Sequence, residues 1–276
     1  MSAFRFASAR LFGFPALVLM ALLAMMALVG CAGLPGKTAS TSADFATDSD
    51  ESPVRKRARL RLELAVNYFE QGQTHVALDE VKQALAQDPA YAEAHNLRGL
   101  IYLRLGDFRL SEDGFRQSLA LNPRDGNTLH NYGWLMCQQG RFSEAGKSFG
   151  QALANPTYGD RAKTLMAQGL CESRAGNNSD AERSLSRSYE LDPGNPVTGF
   201  NLANLLFMRG ELLRSQFYIR RINNSELANA ESLWLGIKVE RKLENREATK
   251  QLADQLSKRF AQSREMQAYQ RGAFDE

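Results

Sequence analysis

Apolar and small residues return along this chain at helical spacing and in a fixed order. Leu64, Ala65 and Tyr68 lead to Gly72, then to Ala77, Val81 and Ala84, and the series closes at Asp88-Pro89. Gly99, Tyr102, Gly106, Phe108 and Phe115 run the same course to Asn122-Pro123. Tyr132, Gly133, Met136, Gly140, Phe142, Ala145, Phe149 and Ala152 do so ahead of Asn155-Pro156. Leu165, Gly169, Gly176, Ala181 and Leu185 do so ahead of Asp192-Pro193. Spacings of three, four and seven predict a buried stripe on a helix. The glycine marks a break, and the proline ends the second helix because the residue before it disfavours the α region. Each unit therefore reads as two helices, with no strand signal.

Gly72, Gly106 and Gly140 are each 34 residues apart. That period is the tetratricopeptide (TPR) period, in which small residues let helices A and B approach and large apolar residues fill the layers between them. The repeats read as 58–91, 92–125, 126–161, 162–195, 196–228 and 229–262. Repeat two departs at Arg98 and Ser111, where Leu and Ala are usual. After repeat three, Asn155-Pro156-Thr157-Tyr158-Gly159-Asp160 delays the next by two residues. Repeat five is weaker, and repeat six lacks a terminal proline and carries Lys238, Glu240, Arg241, Lys242 and Glu244, as a solvated cap would. The expected fold is all-α: a TPR solenoid of six helix-turn-helix repeats, twelve helices, wound into a right-handed superhelix. Residues 263–276 read as a frayed or short helical tail.

An array of this kind offers a long inner surface that binds other proteins rather than a catalytic pocket. By resemblance to TPR arrays, five places on each helix A line that surface. In repeats one and two they hold Leu62, Val66, Phe69, Leu100 and Leu103, an apolar groove suited to an amphipathic or short apolar segment. The core is then assigned to Leu64, Tyr68, Phe108 and Phe115. Phe200, Phe207 and Met208 of repeat five form a candidate second patch. A clamp for a C-terminal carboxylate is not expected, because Leu62 and Val66 stand where the Lys and Asn of such a clamp would, and Asn96 and Asn131 alone cannot neutralise a carboxylate.

The start of the chain does not read as fold. Arg5 and Arg10 precede an apolar run from Leu11 to Val29, and residues 1–30 contain no acidic residue. This is the layout of a secretory signal; a membrane-spanning helix is the competing reading of the same run. Leu28-Val29-Gly30-Cys31-Ala32 resembles the lipobox of bacterial lipoproteins, in which the cysteine sulfur receives diacylglycerol, the chain is cut before it and the new amine is acylated. Cys31 is the expected lipidation site, and several acyl chains on one residue make a stable anchor. By resemblance to Gram-negative lipoproteins, Ala32 implies sorting to the outer membrane, with the rest facing the periplasm. Residues 31–57 are rich in Gly, Pro, Ser, Thr and Asp and read as a flexible tether, with an end-to-end distance of roughly 28 Å. Arg55-Lys56-Arg57, at its end, reads as a solvated helix start.

Charge and chemistry then remove whole classes. The formal net charge is +3, and without residues 1–30 the balance is 32 basic against 31 acidic side chains. That balance carries no argument for nucleic acid. There is no glycine-rich phosphate loop, no nucleophile motif and no metal-ligand spacing beside His75, His95 or His130, so neither an enzyme, a metal, a cofactor nor a small-molecule substrate is expected. Cys137 and Cys171 fall on the A helices of repeats three and four. In an oxidising compartment they are a disulfide candidate, with two separately buried thiols as the alternative.

Trp134 to Ala145 (WLMCQQGRFSEA), Ala152 to Tyr158 (ALANPTY), Gly169-Leu170-Cys171 and Trp234-Leu235-Gly236-Ile237, with the two-residue delay and the lipobox, resemble the PilF/PilW family of type IV pilus biogenesis and stability lipoproteins. The resemblance implies a pilotin-like role: helping the outer-membrane secretin, the pore through which the pilus emerges, to reach the membrane and form its multimer. The implied partners are that secretin and, through the lipid, the outer membrane. A periplasmic scaffold of cell-envelope or peptidoglycan machinery is the competing reading.

Overall fold

The computed structural model describes residues 51–275, and among these it holds thirteen helices and no strand. The first pair is α1 (Pro53–Glu70) and α2 (Thr74–Gln87); the second is α3 (Ala92–Leu105) and α4 (Phe108–Leu121). The third is α5 (Gly126–Gln138) and α6 (Phe142–Ala154), and the fourth is α7 (Arg161–Arg174) and α8 (Asn178–Leu191). The fifth is α9 (Pro196–Met208) and α10 (Leu212–Asn223), and the sixth is α11 (Ala230–Lys242) and α12 (Arg246–Arg259). A last helix, α13 (Arg264–Arg271), follows. These are the twelve helices that the pattern predicts, in six pairs, plus one.

In repeats one to five the A helix ends at a glycine. Gly72, Gly106, Gly140, Gly176 and Gly210 hold φ between 74° and 79°, the left-handed region in which a Cβ is penalised. Repeat six keeps this geometry without glycine: Glu244 occupies the equivalent place at φ 57°. The close approach of A to B is visible at Gly99, where an added Cβ would lie 2.6 Å from the ring of the fully buried Phe115.

The two-residue delay after repeat three seats a side chain. The Asn155 carboxamide accepts a hydrogen bond from the Thr157 amide and donates one to the Arg124 carbonyl. This turns Tyr158 inward against Gly126, with Leu129 and Ala152 in the same cluster, and its hydroxyl meets Thr164 Oγ1 at 2.7 Å.

Three expectations need correction. The tether was expected to run to residue 57, but α1 begins at Pro53: the Ser52 side chain caps it by accepting from the Arg55 amide, and proline suits the first helical position. Arg55 then pairs with Asp88 at 2.7 Å and covers the Tyr91 ring. The first-repeat core is carried by Ala58, Leu62 and Ala65, not by Leu64, which is 43% exposed. Leu64 lines a shallow hollow with residues of α1 and α2 only, on the end of the stack where no earlier helix pair covers it among the described residues. Phe108 is also exposed, because it opens α4 beside the turn, whereas Tyr68 is half-buried and Phe115 wholly so.

The C-terminal tail is a packed cap. Met266 is buried against Leu233, Ile237 and Leu256, and Tyr269 and Phe274 gather around Trp234. Arg241 lies over the Phe274 ring at 4.0 Å. The cap is apolar at its centre, and the tail, expected to be frayed or a short helix, is a short helix packed onto repeat six. One charge of repeat six is itself internal: the buried Glu240 carboxylate accepts from Arg220, Gln216 and Asn245.

Candidate protein-binding face

Successive A helices touch one another more closely than successive B helices do, so the A helices lie on the inside of the stack and the B helices fan outward. The predicted groove residues are on these inner helices. Val66 and Phe69 of α1 are each 34 residues before Leu100 and Leu103 of α3, which puts the four at equivalent places on neighbouring helices.

Their surroundings differ from an open apolar floor. Leu62 is 9% exposed and belongs to the core of the first repeat with Ala65, Val81 and Leu97. It is not available as a groove wall. Phe69, Leu100 and Leu103 are half-buried; Leu100 bridges the first and second core clusters. Val66 alone among the five is exposed. Phe69 is roofed: the Arg104 guanidinium carbon sits 3.5 Å from its ring centroid.

That roof is one of a series. Arg174 lies 4.9 Å from the Trp134 ring, and Lys238 lies 5.5 Å from Phe207 and 5.7 Å from Trp234. Burial lowers the Lys238 pKa from the usual lysine value. Each contact joins a cation to an aromatic ring on the same inner surface, an attraction of about 0.5–2 kcal/mol according to desolvation. The expected lining therefore missed Arg104, Trp134, Arg174 and Trp234. A signal for the two arginines was present: a basic residue closes α3 and α7 at the same register, one turn beyond an inner-facing leucine, Leu100 or Leu170.

The second predicted patch divides. Phe200 and Phe207 pack on the core formed by Ala203, Ile219, Leu235 and Val239, while Met208 is 76% exposed. Met208 rims a hollow of about 270 Å³ between repeats four and five, with Leu170, Leu205, Asn201 and Asn204. Asn131 donates to the Asn96 carboxamide oxygen at 3.1 Å, which links α5 to α3. His95 bonds the Pro89 carbonyl and His130 bonds Thr164, which separates the two imidazoles by partner. Among the described residues no three His, Cys, Asp or Glu side chains come together as metal ligands.

Cys137 and Cys171 meet. Both are buried, with sulfurs 2.25 Å and Cα atoms 5.7 Å apart, tying α5 to α7 in a disulfide. Cys31 and the signal segment lie outside the described residues.

Family models of the tetratricopeptide repeat match residues 67–106, 92–125 and 137–196. The chain is a tetratricopeptide-repeat protein. Type IV pilus assembly protein PilF of Pseudomonas aeruginosa is 26% identical over 230 residues, which cover 81% of this chain and 91% of that protein. The crystal structure of PilW, a widely conserved type IV pilus biogenesis factor, is 29% identical; the match covers 77% of this TPR protein and 97% of that chain, with a TM-score of 0.71. A solved structure of Pseudomonas aeruginosa PilF has a TM-score of 0.73 over 80% of this chain and all of its own, at 24% identity, and speaks for the fold. The chain is thus homologous to PilF and PilW at moderate identity over most of its length.

Proposed function

We propose that this TPR protein acts in type IV pilus biogenesis as a non-catalytic, lipid-anchored assembly factor for the outer-membrane secretin. The observation that carries the reading is homology to PilF and PilW over most of the chain rather than over a few repeats. A short motif match would support only a generic protein-binding array; a match over about four-fifths of this chain and nine-tenths or more of each relative supports a shared use of the surface the repeats form.

In this reading Cys31 carries the lipid and places the chain on the periplasmic face of the outer membrane. The stretch from Cys31 to Ser52 spans at most about 70–80 Å, which lets the solenoid reach an unassembled subunit near the bilayer. The inner faces of repeats one and two receive it. Val66 and the half-buried Leu100 and Leu103 offer apolar contact, and Arg104 offers a charge beside the roofed Phe69, so the preferred guest is an apolar segment with an acidic neighbour.

The test is a deletion strain. Loss of secretin multimers and surface pili, both restored by the wild-type chain, is expected. Normal pili with a defect in division or envelope integrity would replace this reading with that of an envelope scaffold.

A further inference from the structure

At two outward places on each B helix the residues are polar in five repeats and apolar in one. Two exposed places per B helix, four residues apart, hold His75 and Asp79, Arg109 and Asp113, Ser143 and Lys147, Ser179 and Arg183, and Glu247 and Gln251. In α10 the same two places hold Leu213 and Phe217, which are 71% and 62% exposed. Core packing does not account for them, because the buried face of α10 is already supplied by Ser215, Ile219 and Ile222.

A second departure falls on the same spot. One turn beyond Phe217, the B helices of repeats one, two, three and six carry Gln83, Gln117, Gln151 and Gln255. Repeats four and five carry Arg187 and Arg221 there instead. Both arginines are exposed, and neither makes an ion pair among the described residues. The α10 segment LLRSQFYIRRIN contains three arginines and no acid. Arg214 and Arg220 are held by Glu182, Glu211 and Glu240, which leaves Arg221, one turn from Phe217, and Arg187, at the equivalent place on α8, outside any ion pair among the described residues.

We infer that this outward patch docks on an anionic phospholipid surface. Two large apolar side chains on an outward-fanning helix enter the interface between headgroups and acyl chains, and two free arginines, one on that helix and one on the B helix before it, meet lipid phosphates. The inner face suits an extended or helical guest; the outward face of a single helix suits a plane. The inference rests on the lipid-anchor reading only for proximity: an anchor on Cys31 holds the solenoid beside a bilayer, and the patch then fixes which side faces it. Docking there turns the A helices away from the lipid.

The test uses the full lipidated chain on vesicles of phosphatidylethanolamine with phosphatidylglycerol, carrying an environment-sensitive thiol label at Leu213→Cys or, as control, at the equivalent Ser143→Cys. A spin-labelled lipid should quench the first label several-fold more than the second. Changing Arg187→Gln and Arg221→Gln, the residue the other repeats carry, should weaken that preference by roughly fivefold for each arginine. High salt should weaken it as well. Equal quenching at both positions overturns the inference. So does protection of the Leu213→Cys label by the secretin with no lipid present, which would assign the patch to a protein. Flotation of the chain, and its loss in Cys31→Ala, reads the anchor separately, so each reading fails on its own measurement.

Discussion

The guanidinium of Arg104, on the second repeat, covers the ring of Phe69, on the first, at 3.5 Å, and donates to the Phe69 carbonyl. One side chain thus closes the apolar groove of repeat one and joins two repeats. A double-mutant cycle of Arg104→Ala with Phe69→Ala, followed by thermal unfolding, should return a coupling of about 1 kcal/mol. Additive losses would mean that the contact is incidental and the groove is open in solution.

This contact also shows where the sequence stops being legible. The period, the glycine turns and the prolines are local features, and they carried the six pairs and their order. The lining of the inner face is set between repeats. Whether Phe69 is bare depends on a residue 35 positions later, and whether Leu62 or Leu64 is core depends on which of them α1 turns towards Val81 and Leu97. The same holds for Met266, Tyr269 and Phe274, whose role appears only when they fold back on Trp234. The early start of α1 was readable from Ser52-Pro53, a capping residue followed by a proline, but the polar composition around it argued for a tether.

Leu62→Asp is therefore a stability variant and not a groove variant. It should destabilise the solenoid by several kcal/mol, because a carboxylate would replace a buried leucine among Ala65, Val81 and Leu97. Val66→Asp, at an exposed place, should leave the unfolding temperature nearly unchanged while weakening partner binding. Equal effects on stability would contradict the division of the two residues between core and surface.

Cys137 and Cys171 close a loop of 34 residues. The chain-entropy argument gives such a crosslink up to about 4 kcal/mol. Protein purified without reductant and alkylated after denaturation should show no modification at either residue. Replacing both with serine should lower stability without disturbing the helices. Two alkylated thiols would mean that the pair is only packed.

Glu244 occupies the left-handed turn that glycine fills in the other five repeats. A side chain there costs about 1–2 kcal/mol, partly offset by the extra freedom glycine has when unfolded. Glu244→Gly should stabilise the chain by about 0.5–1 kcal/mol in denaturant unfolding. A loss of stability would show that the Glu244 side chain makes a contact worth more than the turn.

His130 is buried against Phe149 and bonded to Thr164. Burial, with the nearby Lys163 charge, lowers its pKa to about 4 from an ordinary 6.5. The unfolded chain thus binds the proton more readily than the folded one between those values. The stability linked to His130 is complete above pH 6.5 and falls as the pH drops towards 4, by roughly 3 kcal/mol in all. Unfolding free energy measured from pH 7 to 5 should decline, and His130→Gln should flatten the decline. An unchanged slope in that variant would assign the titration to other groups.

The central claim is that the inner face of repeats one and two receives a secretin subunit. A photo-reactive amino acid placed at position 66 or 103 of the full chain, in cells that make type IV pili, tests it most directly. The account predicts a crosslink to the secretin from both positions and none from position 113 on the outward side. Crosslinks from position 113 alone, or secretin multimers assembling normally with no crosslink from either inner position, would contradict it.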